Sequence, residues 1–260
     1  MKNRPRSPSS SPRIKRREVL GFVSGATVVS LLGCQRQTTT EPAEVSTSAA
    51  ATPASTAQDV ADTAQSIPAC VVSPEQTEGP YFVEEALNRS DIHEGKAGLP
   101  LRLVLRVSQV NSGTCVPLEG ATVDIWHCDA EGVYSDVTDR SFNTVGQRFL
   151  RGSQVTDANG TVEFTTIYPG WYRGRTVHTH FKIRSDAAAQ QGYEFTSQLY
   201  FDDAISDEVF AQAPYSSRGQ RSVRNERDRI YQDGGQQLTL QLTETDEGYT
   251  STFDIGLQMT

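Results

Sequence analysis

The chain is poor in the residues and motifs from which many functional sites are built. It holds four cysteines, four histidines and two tryptophans in 260 residues. No CxxC pair occurs, which argues against a zinc knuckle or a thioredoxin-type redox centre. GxGxxG, GxxxxGK[ST] and GxSxG patterns are all missing. Their absence argues against a nucleotide-phosphate cradle and against a hydrolase nucleophile elbow. No internal repeat is present. The net charge of −8 and pI near 5.1 lack the basic footprint of a nucleic-acid binder, so no nucleic-acid partner is expected. Only one long apolar run occurs, VLGFVSGATVVSLLG, and its roughly fifteen residues are short for a membrane span.

What is there is unevenly distributed. Arg4, Arg6, Arg13, Lys15, Arg16 and Arg17 crowd the start and precede that apolar run. A charged region followed by a short apolar one reads as an export signal over residues 1–33, and the Arg16-Arg17 pair suits the twin-arginine route. The run ends in Leu31-Leu32-Gly33-Cys34, which is similar to a bacterial lipobox. Cys34 is therefore the expected lipid anchor, the only membrane contact expected. Residues 34–66 are Thr, Ser, Ala, Pro and Glu with few large apolar side chains, a composition expected to form a disordered tether. A single globular domain is expected over 67–260, exported to the periplasm or cell surface. In such a compartment disulfides persist. With Cys34 lipidated, three cysteines remain and at most one bridge forms. Cys70 with Cys115 is the expected pair, because Cys128 lies in an apolar strand pattern that suits a buried free thiol.

From Leu99 onward the domain has a strand-like pattern. LRLVLRVSQV places apolar residues at 101, 103, 105 and 107. NSGT reads as a turn, ATVDIWHC as a second strand, and DAEG as its closing turn. FLRGSQVT, TVEFTTI, TVHTHFKI, TSQLYF, QQLTLQLT and TSTFDIGL follow as further strands, separated by DANG and Pro169-Gly170 breaks. Helical periodicity is confined to short stretches such as 203–212. The expected fold class is all-β: a sandwich of mostly antiparallel strands with long loops and few short helices.

Chemistry concentrates around His178-Thr179-His180. Side chains two apart on a strand face the same way, so both imidazoles can reach one ion. By itself HxH is also met as two histidines on a polar surface. No Asp or Glu lies within that strand to complete a two-histidine, one-carboxylate site. Tyrosine is the available oxygen donor nearby, at Tyr168 or Tyr172, and a phenolate suits a ferric ion.

The segments TEGPYF (77–82), PLEGATVDIWHCDAEGVYSD (117–136), FLRGSQVTDANGTVEFTTIYPGWYRGRTVHTHFKI (149–183) and SQLYF (197–201) resemble the intradiol ring-cleavage dioxygenases, the catechol and protocatechuate dioxygenase group. G-x-Y-S, P-G-x-Y and R-x-x-H-x-H in this order carry the likeness. The resemblance implies an Fe(III) enzyme that uses O₂ to open a small aromatic diol to a cis,cis-muconate-type product. It implies Tyr134, Tyr172, His178 and His180 as iron ligands, with Tyr172 favoured over Tyr168 by the Pro-Gly-x-Tyr match. Arg175 matches the active-site arginine, Gln198 a glutamine near the substrate ring, and Tyr172 doubles as a proton acceptor. Gly79, Pro80 and Tyr81 match a segment at the substrate mouth. The spacer between Tyr172 and His178 is shorter than in protocatechuate-type enzymes, and a tether stands where catechol-type enzymes have a helical dimerisation segment. Two other readings stay open: a zinc or ferrous enzyme built on HxH, and a non-catalytic surface sandwich. Bland roles are expected elsewhere: His127 in the core or supporting the site, His93 and Arg173 at the surface, Trp126 and Trp171 in packing. Asp202-Asp203 is expected in a turn and residues 218–229 as a solvated face.

Overall fold

Leu101, Leu103, Leu105 and Val107 are buried, and Arg102 and Arg106 between them are exposed. That alternation builds the first strand of the computed structural model, which describes residues 70–85, 87–185 and 192–259. The expected signal, Cys34 and the 34–66 tether lie outside the described residues. The strands are β1 (Pro100–Asn111), β2 (Thr114–Pro117), β3 (Thr122–Trp126), β4 (Arg151–Val155), β5 (Thr161–Ile167), β6 (His178–Arg184), β7 (Glu194–Tyr200), β8 (Thr243–Glu244) and β9 (Tyr249–Leu257). Among the described residues one helix, α1 (Asp203–Phe210), and three short 3₁₀ turns join them.

One sheet runs β2-β1-β9-β8, with β5 also paired to β1; the other runs β4-β3-β6-β7. Each ladder between these strands is antiparallel except β1 with β9. Leu101, Leu103, Leu105, Phe164 and Ile255 of the first sheet form one buried cluster with Val123, Ile125, Phe181, Ile183 and Leu199 of the second. The fold is an all-β sandwich, as the strand pattern led one to expect.

The Asn111–Thr114 turn is a tight hairpin in which Ser112 and Gly113 both have positive φ, 46° and 88°. This is the backbone twist that suits two antiparallel strands. The returning strand β2 was not expected, and it carries Cys115. Two expectations need correction. QQLTLQLT is not a strand: Gly234-Gly235 opens a 3₁₀ turn over Gly235–Leu238, Thr239 makes a single bridge to Tyr200, and only Thr243–Glu244 pairs. Leu238 and Leu240 are buried from that turn without a ladder. Asp202 is not in a simple turn. It caps α1, its carboxylate accepting from Ala204 N (2.7 Å) and Ile205 N (3.2 Å).

Cys70 and Cys115 form the expected disulfide, and Cys128 is a buried free thiol. The bridge closes a loop of 45 residues in sequence. Chain entropy then assigns it up to about 4 kcal/mol. A Cys70→Ser, Cys115→Ser protein is expected to lose about 2–4 kcal/mol in denaturant unfolding. Unchanged midpoints with and without the bridge would contradict this.

His127 is a core histidine. Its partners assign Nδ1–H as donor to the Cys128 carbonyl (2.8 Å) and Nε2 as acceptor from the Thr166 hydroxyl (2.7 Å). Burial lowers its pKa to about 4 from 6.5. The unfolded chain therefore takes up a proton that the fold resists. Stability from this group is complete above pH 6.5 and is lost as pH falls from 6.5 through 4, by about 3 kcal/mol. A His127→Asn protein should show a flatter fall of the urea midpoint across that window than the parent.

Candidate active site

Along β6, Phe181 and Ile183 enter the core, so His178, His180, Lys182 and Arg184 leave by the opposite face. The register sets their neighbours. His180 lies between Trp126 of β3 and Gln198 of β7, and His178 lies beside Tyr200. This face points away from the sandwich, yet His178 and His180 are only 2% and 1% exposed. Loops cover them.

The loop between β3 and β4 brings Tyr134. Asp129 shapes its start by accepting from Glu131 N and Val133 N, both at 3.0 Å. Thr144 donates its hydroxyl to the Tyr134 carbonyl at 2.6 Å. The loop between β5 and β6 brings Tyr172 and Arg175. The two loops meet at Gly132, where φ is +77° and a Cβ would sit 2.3 Å from the Trp171 carbonyl oxygen. Only glycine fits there.

An N-terminal strap over residues 70–82 closes the site from the other side. Ser73 N donates to Gly256 O, Gln76 N to Thr196 O, and Ser197 Oγ to Pro74 O, at 2.7–2.9 Å. Gln198 Nε2 then donates to Thr77 O at 2.8 Å, and Gly79 lies against the His180 ring.

Four donor groups converge. Nε2 of His178 is 3.1 Å from Nε2 of His180, 3.1 Å from the Tyr172 hydroxyl and 3.5 Å from the Tyr134 hydroxyl. Nδ1–H of His178 donates to the Thr176 carbonyl at 2.7 Å, which assigns Nε2 as the bare nitrogen. Nδ1 of His180 is buried without a partner. Trp126 stacks on the His180 ring, with centroids 5.0 Å apart and planes 5° apart. Tyr81 stacks on Tyr134 at 4.5 Å and donates its hydroxyl to Asp139 at 2.9 Å.

Burial dominates the electrostatics. It raises Tyr134 and Tyr172 well above 10 and keeps both as phenols when no cation is near. It lowers His178 to about 3, with Arg175 adding to the effect, and holds His180 well below 6.5, with His178 adding to the effect. Tyr81 rises to about 12, first by burial and then by its bond to Asp139. Two imidazole nitrogens 3.1 Å apart thus face each other beside two phenol oxygens. A cation bonded at about 2.0–2.2 Å would set neighbouring donors about 3 Å apart, so the set fits a metal. Among the described residues no group of three or more His, Cys, Asp or Glu side chains gathers in this way. The oxygen donors are phenolic, a choice that suits a ferric ion.

The family described as Dioxygenase matches residues 77–258, and those residues hold all four donors. The chain belongs to the intradiol ring-cleavage dioxygenase family. An intradiol ring-cleavage dioxygenase from Tetranychus urticae superposes with a TM-score of 0.66 at 33% identity, covering 73% of this chain and 95% of that one. The dioxygenase domain of a carbohydrate-binding fusion protein from Streptomyces sp. SirexAA-E superposes with a TM-score of 0.52 at 27% identity, covering 73% and 100%. A chlorocatechol 1,2-dioxygenase from Pseudomonas putida is 31% identical over an alignment of 150 positions that covers 48% of this chain and 52% of that protein. The chain thus spans about half the length of the curated relatives it matches.

Set in this intradiol dioxygenase fold, Tyr134, Tyr172, His178 and His180 are brought together. Arg175 and Gln198 adjoin them, with Arg175 Nη2 donating to Gln198 Oε1 at 2.6 Å. Gly79 and Tyr81 touch the cluster, and Pro80 between them is exposed. Tyr168 is elsewhere: its hydroxyl bonds Ser206 Oγ at 2.7 Å inside the core. Trp126, expected only to pack, holds the plane of His180. Residues 218–229 are not a uniformly solvated face. Asp228 is 2% exposed, Asn225 is buried, and the Arg221 side chain is 3% exposed against Asp203 and Asp207. Their mixed charges hid these buried partners, because nothing in local sequence distinguishes a paired charge from a hydrated one. Gln76 was missed for a similar reason. It accepts from Tyr200 Oη (2.7 Å) and donates to Ile230 O (2.8 Å) and Asp233 O (2.6 Å), all distant in sequence.

Gly79 and Gly95 share a φ of +73°, but a Cβ at Gly79 would lie 3.3 Å from His180 Cε1, whereas Gly95 has nothing within 4 Å. Gly95→Ala is expected to cost about 1 kcal/mol of backbone strain. Gly79→Ala should cost measurably more in the same denaturant melt. Equal losses would show that His180 gives way freely.

Proposed function

We propose that this protein is a non-haem Fe(III) dioxygenase that inserts both atoms of O₂ into a catechol-type diol. The ring opens between the two oxygenated carbons, and the product is a cis,cis-muconate-type dicarboxylate. The convergence of Tyr134, Tyr172 and His180 within 3.1–3.5 Å of His178 Nε2 carries this reading. These four side chains would hold the iron. A bound ferric ion supplies Lewis acidity that favours loss of both substrate hydroxyl protons.

The chain's own residues then have separable tasks. Tyr172 is the more accessible of the two phenols, since Tyr134 is only 1% exposed. Its Oη is placed to take a proton from the incoming diol. Tyr134 is held by Tyr81 on its ring and by Thr144 on its carbonyl. Nη1 of Arg175 is 3.4 Å from His178 Nε2, so a fixed cation faces the position where negative charge develops on the ring. Gln198 ties that arginine to the strap through Thr77. Tyr81 and Phe142, 6.5 Å apart between ring centres, give the cover an apolar lining suited to an aromatic ring.

The same proposal includes the setting. Residues 1–33 act as a twin-arginine signal, Cys34 carries a lipid anchor, residues 34–66 are a tether, and residues 67–260 are the catalytic domain. The enzyme then works outside the cytoplasm, where the Cys70–Cys115 bridge persists.

Purified protein should contain iron, show a visible absorption band from tyrosinate-to-ferric charge transfer, and consume O₂ one-to-one with a catechol. Tyr134→Phe should weaken the band and abolish uptake. A colourless zinc protein, or no O₂ uptake across a panel of catechols, would overturn the assignment.

A further inference from the structure

The face of Arg175 turned away from the donor cluster is clamped by a carboxylate that the family likeness does not point to. Asp228 Oδ2 accepts from Arg175 Nε and from Thr176 N, both at 2.8 Å. Its Oδ1 accepts from Ile230 N at 2.8 Å and Tyr231 N at 3.2 Å. The Asp228 side chain is 1% exposed. Burial opposes its charge, but the Thr176 N–H and Arg175 hold its pKa below the usual carboxylate value, so it stays an anion.

The arginine is thereby fixed on two edges. Nε is held by Asp228 and Nη2 by Gln198, which leaves Nη1 facing the cluster. Thr176 extends the clamp. Its N–H goes to Asp228, its Oγ1 donates to Asn225 Oδ1 at 2.5 Å, and its carbonyl accepts Nδ1–H of His178. Asn225 Nδ2 in turn donates to Phe201 O at 2.9 Å.

We propose that Asp228 is a positioning residue that aims the Arg175 guanidinium at the reacting diol. This rests on the dioxygenase reading above. A guanidinium is planar with donors at fixed angles, so two anchored edges determine where the third points. Without the anchor the charge remains but its direction is lost. Misplacement of about 1 Å is enough to cost on the order of 10²-fold in rate.

The test compares Asp228→Asn in two backgrounds. Asparagine keeps the shape, but in either orientation its N–H₂ faces two N–H donors. In the parent enzyme, Asp228→Asn should lower kcat by about 10- to 100-fold and change KM by less than about threefold. Arg175→Ala should lower kcat by on the order of 10²–10³-fold. In the Arg175→Ala protein, adding Asp228→Asn should change kcat by less than about twofold, because the residue acts through the arginine. Equal losses in both backgrounds overturn the proposal. If Asp228→Asn does not fold, Arg175→Lys decides: it keeps the charge but cannot span Asp228, Gln198 and the site. It should lose at least about tenfold, and parent-like turnover overturns the proposal.

A second readout needs no bound iron and no turnover. In metal-free ¹⁵N-labelled protein, the Arg175 Nε–H should exchange slowly with solvent and become fast in Asp228→Asn. Equal exchange rates mean there is no clamp. Slow exchange in a protein that cleaves no catechol would instead refute the dioxygenase reading and leave the clamp standing.

Discussion

The two-residue period of an extended chain makes β6 serve two purposes at once. Phe181 and Ile183 complete the sandwich core, and the alternate positions put His178 and His180 on the far side of the same strand. That far side would ordinarily face water. Here it is buried, so each polar group on it needs a partner, and those of His178 and His180 come from outside the sheet or from each other. The strap over residues 70–82, the two tyrosine-bearing loops and the turn at 225–231 supply them. Gln76, Thr176, Gln198 and Asp228 each satisfy several backbone or side-chain groups. After this matching, Nε2 of His178 and His180 and the hydroxyls of Tyr134 and Tyr172 are left facing one another.

Burial at that point disfavours charge, holding the phenols protonated and the imidazoles neutral. Metal ligation keeps the imidazoles neutral but requires the phenols to lose their protons. The protonation state of such a centre is therefore coupled to its occupant, and binding a cation releases protons. Stacking of Trp126 on His180 and of Tyr81 on Tyr134 adds about 0.5–1.5 kcal/mol per pair, small beside the cost of burial. Its greater effect is orientational, since each stack fixes the plane of a donor ring. Arg175, the cation that faces His178 Nε2, is oriented by neighbours on three different segments.

Features with a local signature were legible before the fold was known. The alternation in residues 101–107, the Asn111–Thr114 turn and the HxH strand correspond to β1, its hairpin and β6. The pairing of Cys70 with Cys115 also matched expectation, helped by the strand-like surroundings of Cys128. QQLTLQLT failed because spaced leucines are buried equally well from a glycine-initiated turn, and period alone does not say what a segment pairs with. Tyr134 was reachable only through family likeness, since nothing in its own neighbourhood requires a metal. Asp228 was hidden in a run of mixed charge.

Which residues share a strand face is a property of the chain itself, because backbone geometry imposes it within a few residues. The sequence alone therefore determined a β-sandwich domain and a pair of histidines able to act together. Which tyrosine joins them was a matter of packing. Tyr168 and Tyr172 are four positions apart, yet one hydroxyl is committed to Ser206 in the core and the other meets His178. The contact of Tyr134 with His178 spans 44 positions and that of Arg175 with Asp228 spans 53. Such contacts are set by loop closure over a buried sheet face, where unmatched polar groups select one arrangement. No local pattern encodes that selection.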